Sequence, residues 1–94
     1  IEYQKKERYN SLETVLEKAI SDRNSARISN ETQLKNIAQA KNAEQILLKK
    51  YETDSVDFKD VLEIQELQLK FQINKIDAVK SYFMQTAIIN YLSN

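Results

Sequence analysis

The sequence contains no glycine, proline, cysteine, tryptophan or histidine. Glycine and proline ordinarily make up about 7% and about 5% of a chain, and they punctuate turns and end helices. Their joint absence over 94 residues excludes tight-turned sheets and leaves helix with very little loop. Without cysteine or histidine there is no thiol nucleophile, imidazole base, disulfide or ordinary zinc ligand, so neither a metal nor a cofactor is expected. Net charge is missing too. Fourteen basic residues balance 14 acidic ones, which removes any overall attraction to nucleic acid or anionic lipid. The chain opens at Ile1 with no charged-then-apolar leader, and it is expected to be an internal piece of a larger all-helical protein.

What is present is helical periodicity. A strict 3,4 spacing runs through Tyr9, Leu12, Leu16, Ala19, Arg23, Ala26, Asn30, Gln33, Ile37, Ala40, Glu44, Leu47 and Tyr51. Most of these are apolar, as a coiled-coil seam requires. Val15, Ile20, Leu34, Ala43 and Ile46 widen that stripe, which implies more than one neighbouring helix. Between Ser21 and Gln33 only Ala26 and Ile28 are apolar, a composition suited to a helix that partly lines water. Small residues at Ala19, Ala26, Ala38, Ala40 and Ala43 permit close helix approach. Residues 1–52, if helical throughout, extend roughly 78 Å at 1.5 Å per residue.

The one credible break is Thr53-Asp54-Ser55-Val56-Asp57, whose side-chain oxygens can support a turn or cap a helix. Beyond it two heptad tracks appear, Leu62, Leu69, Ile76 and Phe83 on one and Ile64, Phe71 and Ala78 on the other. The reading is an all-α, long antiparallel two-helix hairpin over 1–94, with helix 2–52, turn 53–56 and helix 57–92. Its two seams cannot both be covered within one hairpin, so the chain is expected to self-associate, as in a four-helix dimer. The apolar stretch from Tyr82 to Leu92 is too short and too interrupted to span a bilayer. Glu66 and Lys70, four apart, read as a surface ion pair.

Tyr51-Glu52-Thr53-Asp54, then Asp60-Val61-Leu62, then Gln65, resembles the Y-x-x-G-x5-D-V-L-x-x-Q signature of TolC-like outer-membrane efflux proteins. The similarity extends upstream through Ala40, Ala43, Leu47 and Lys50, and downstream through Leu69, Ala78 and Tyr82. In all it covers about half the chain. Two positions depart from the pattern: the family's glycine is Asp54 here, and its usual alanine is Ile64. Aspartate is among the few residues that tolerate a left-handed backbone, so the turn can survive.

The resemblance implies a homotrimeric channel of the outer membrane, with this hairpin in the periplasm as part of a long helical barrel. It implies that acids just beyond the turn, Asp60 and Glu63 by offset, line the pore constriction. It also implies that the turn surface, Tyr51, Asp54, Ser55, Val56 and Phe58, docks a periplasmic adaptor protein and through it an inner-membrane transporter. No nucleic acid is an expected partner. Sequence physics alone leaves other readings open. Asp60 and Glu63 also suit the first turn of a helix, whose dipole favours negative charge. Tyr51 can close the seam with its ring or bond across helices through its hydroxyl. Phe58 can be a staple or an exposed contact. The alternative for the whole chain is a generic structural or interaction coiled-coil hairpin. Two carboxylates on a rod offer neither pocket nor nucleophile, so no enzymatic activity is expected.

Overall fold

The computed structural model describes residues 2–93, and the side chains of residues 5–93. Two helices account for nearly all of it: α1 (Glu2–Glu52) and α2 (Phe58–Ser93), packed against each other as an antiparallel hairpin. Strings of residues with strong or neutral helix propensity, uninterrupted by glycine or proline, are what allow helices of 51 and 36 residues. The molecule is a rod of 77 × 18 × 13 Å, its length set by α1. No helix among the described residues is long and apolar enough to cross a membrane.

The second helix starts at Phe58, one residue later than the sequence reading places it, and runs to Ser93. The turn accordingly spans 53–57. The reason lies in Asp57, which stands outside the helix while its carbonyl accepts the Asp60 N–H at 3.0 Å, the position of a helix N-cap. Lys49 and Lys50 close α1 and Asp60 opens α2, so both dipole ends at the tip meet charge of the opposite sign.

Along α1 every member of the 3,4 track from Leu16 to Leu47 is buried or half-buried, whereas Tyr9, Leu12 and Tyr51 at its ends are exposed. In α2 the inward track is Val61, Ile64, Gln68, Phe71, Lys75, Ala78, Tyr82, Gln85, Ile89 and Leu92. Among the described residues four of the five buried ones are alanines, Ala19, Ala26, Ala40 and Ala78, and only Val61, at 0% exposure, is larger. Alanine on both helices lets the backbones approach closely, but it buries little apolar area. Eighteen large hydrophobic side chains remain exposed, more than a self-sufficient small domain would leave in water.

The seam is polar at its centre. Asn30 Oδ1, Gln33 Oε1 and Gln68 Nε2 are buried and make no hydrogen bond with the described residues. Buried amide atoms left without a partner cost stability, so this stretch is the weakest part of the seam. The Thr14 and Thr86 hydroxyls are satisfied locally, donating to the Asn10 and Tyr82 carbonyls at 2.9 and 2.8 Å. The expected Glu66–Lys70 ion pair does not form. The exposed i,i+4 pairs that do are Arg27–Glu31 at 3.2 Å and Lys59–Glu63 at 3.9 Å. Such pairs contribute only about 0.3–0.5 kcal/mol, so water competes with each of them on nearly equal terms.

Candidate functional site

The tip is built by a backbone reversal at the end of α1. Ser55 N–H donates to the Lys50 carbonyl at 2.8 Å, and Asp54 N–H donates to the Tyr51 carbonyl at 3.0 Å. These are the two bonds of a Schellman motif, which requires a left-handed residue just past the helix. That residue is Asp54, with φ of 58°, and it is the only described residue with positive φ. Thr53 reinforces the reversal, its hydroxyl donating to the Lys50 carbonyl at 3.0 Å and lying 3.0 Å from the Ser55 hydroxyl.

A left-handed backbone strains any residue with a Cβ, aspartate less than most. Asp54→Gly is therefore expected to stabilise the hairpin by about 0.5–1 kcal/mol, a rise in Tm of roughly 4 °C for a chain of this size. Thermal melts followed by circular dichroism measure it. An unchanged or lowered Tm would mean that the turn does not use the left-handed conformation.

Tyr51 and Phe58 close the tip from either side of the turn. Their ring centroids lie 5.5 Å apart at an interplanar angle of 50°, a tilted contact within the favourable range for aromatic pairs. The Tyr51 hydroxyl has no hydrogen-bond partner among the described residues. Phe58 is a staple on one face and exposed on the other, and Val56 is half-buried between them in sequence.

The two sides of the hairpin differ in chemistry. On one, a long open groove is lined by Asp22, Ser25, Ser29 and Gln33 of α1 and by Asn74, Asp77, Ser81 and Gln85 of α2, with Ala26 and Ala78 at its floor. Residues seven apart recur on one side of a coiled-coil helix. Asp60 lies two heptads before Asn74, and Glu63 two heptads before Asp77, so both acids belong to this polar side. Asp60 is half-buried and Glu63 exposed, the latter in its weak pair with Lys59.

On the other side a notch of about 330 Å³ is lined by Arg27, Asn30, Val79, Tyr82 and Phe83. Heptad recurrence from Arg27 brings Ile20, Leu34 and Leu48 to this side, and recurrence from Phe83 brings Leu62, Leu69 and Ile76. The same recurrence puts Leu67 and Met84 on the groove side and Lys41 on the notch side, and Val15 and Ile88 adjoin Asp22 and Gln85, so the groove is polar over its own length while neither side is uniform along the rod. No three His, Cys, Asp or Glu side chains among the described residues are grouped to hold a metal ion. Sequence reading placed Asp60 and Glu63 near the turn. It did not reveal that they share a side with Asp22, Asp77 and the serines, because that depends on which α2 seam faces α1. Comparison with protein-family models, curated proteins and solved structures returns no match for this chain.

Proposed function

We propose that this chain is the periplasmic coiled-coil hairpin of a TolC-like outer-membrane efflux or export channel, a wall element through which solutes pass without any bond-making step. The observation that carries the reading is Asp54. The one left-handed residue of the hairpin occupies the glycine position of the Y-x-x-G-x5-D-V-L-x-x-Q signature, where a left-handed residue is what the pattern demands. Sequence similarity and backbone geometry therefore agree at the same position.

The polar groove between Asp22 and Gln33 of α1 and Asn74 and Gln85 of α2 supports a channel wall over a free-standing rod. Such a wall has one surface against water and others against neighbouring helices, and selectivity then comes from the width and charge of the wetted surface. Asp60 and Glu63 sit on the polar side near the tip, as a constriction of three converging hairpins would use them. The exposed tip formed by Tyr51, Asp54, Ser55, Val56 and Phe58 is the docking surface for a periplasmic adaptor, which links the trimer to an inner-membrane transporter.

The test uses the full-length protein that carries this hairpin. It is expected to fractionate with the outer membrane, to have the mass of a trimer in detergent, and to give discrete ionic currents in planar bilayers. A soluble protein, or a membrane protein with no conductance, would overturn the reading in favour of a structural or interaction coiled coil.

A further inference from the structure

The seam changes character between Asp22 and Gln33 of α1 and between Asn74 and Gln85 of α2, the stretch along which the polar groove runs. Its inward residues are Arg23, Ala26, Asn30 and Gln33 from α1, facing Lys75, Ala78, Tyr82 and Gln85 from α2. Five of these eight are polar, and two of the other three are alanines. Toward the tip the seam is filled by Ile37, Ala40, Leu47, Val61, Ile64 and Phe71, and toward the open end by Leu16, Ala19, Ile89 and Leu92. Apolar contacts therefore close the hairpin on both sides of a polar middle roughly 18 Å long.

The middle is also open on both flanks. The groove runs along one side of Ala26 and Ala78, and the notch at Arg27, Asn30 and Tyr82 lies on the other. Asn30 Oδ1 and Gln33 Oε1 are buried here without a donor, and no ion pair among the described residues engages Arg23 or Lys75. Asn30 borders the notch and Gln33 the groove, so a small parting of the helices brings solvent to both. Parting uncovers two alanine methyls and part of one tyrosine ring, a small apolar loss, and it hydrates two acceptors whose burial without a partner is costly. The third unpartnered amide, that of Gln68, lies between Ile64 and Phe71 on the inward track. There the same movement would expose large apolar side chains. Loss and gain therefore favour opening in the middle alone.

We propose that the middle of the seam, residues 22–33 against 74–85, is a hinge at which the two helices part and admit water while the tip and the open end stay closed. Such a movement leaves both helices intact, because each keeps its own backbone hydrogen bonds. It lets the tip half, stapled by Tyr51 and Phe58, tilt relative to the open-end half. The movement belongs to the hairpin itself, whether or not the hairpin forms a channel wall.

Ala19, Ala26, Ala40 and Ala78 are 3%, 6%, 4% and 7% exposed, so static burial would protect a thiol about equally at all four. The chain has no cysteine of its own, and single cysteines at these positions report opening directly. Their reaction with a water-soluble maleimide is timed at one low protein concentration, each rate being divided by that of the same variant in denaturant. Ala26→Cys and Ala78→Cys are expected to react at least about tenfold faster than Ala19→Cys and Ala40→Cys. Adding Asn30→Leu and Gln33→Leu to Ala26→Cys removes the gain from hydration and should slow the reaction to the rate of Ala40→Cys. In the parent chain the same two leucines should raise Tm by about 4–8 °C or more. Circular dichroism checks that each variant is helical. Equal rates at all four positions would overturn the hinge, as would fastest reaction at Ala19→Cys, the mark of fraying from the open end. So would an unchanged rate or Tm once the two amides are replaced.

Discussion

Ala40→Leu will destabilise the hairpin, while Ala38→Leu, two residues away on the same helix, will not. Ala40 is 4% exposed and lies on the seam, whereas Ala38 points to solvent. Leucine and alanine have similar helix propensity, so the two variants differ only in what the added side chain meets. At position 38 it meets water. At position 40 it meets α2 where the backbones approach closely, and the extra methylenes must push the helices apart or take a strained rotamer. Overpacking of this kind costs about 1–3 kcal/mol. For a chain of this size each kcal/mol shifts Tm by about 4–8 °C. Adding Ala26→Leu, two heptads along the same seam, should lower Tm further, with a sum near the separate losses because the sites are far apart. The melts must share one protein concentration, since association raises Tm by mass action. Equal melting of the Ala38 and Ala40 variants would show that the alanines do not set the helix separation.

Much of the architecture is legible in the sequence because the missing residue types restrict it so heavily. With no glycine or proline, a long rod and a single break at 53–57 follow, and the α1 seam from Leu16 to Leu47 is the 3,4 track read off directly. In α2 periodicity shows two tracks without showing which one faces α1. Hydrophobicity alone would favour Leu62, Leu69, Ile76 and Phe83. The fold buries the other track, where Val61, Phe71 and Ala78 alternate with Gln68, Lys75 and Gln85. The inward track carries Ala78, whose small side chain is buried at the seam with those of Ala19, Ala26 and Ala40. The more apolar track is left outside, exposed on the back of α2. That choice also decides the site, since it turns Asp60 and Glu63 toward the groove with Asn74 and Asp77.

On the channel reading proposed above, neutralising those acids together, as Asp60→Asn with Glu63→Gln, will cost the full-length protein its preference for cations. In the proposed trimer, threefold symmetry would gather three copies of each acid around one axis, with one helical turn between the two positions. That arrangement would make two stacked carboxylate rings in a narrow aqueous passage. Such rings raise the local cation concentration and hold multivalent cations longest, so they set both selectivity and block. Asparagine and glutamine keep the side-chain size and the helix, so the passage keeps its width while losing its charge. The expected result in planar bilayers is a several-fold fall in cation over anion permeability and a several-fold weaker block by divalent and trivalent cations, with little change in conductance at high salt, where screening already hides the rings. Stability should barely move, because a first-turn acid contributes about 0.3–1 kcal/mol through the helix dipole and Glu63 is held only by its exposed pair with Lys59. Parent-like selectivity and block, accompanied by a measurable fall in Tm, would assign the two acids to the ordinary work of starting a helix.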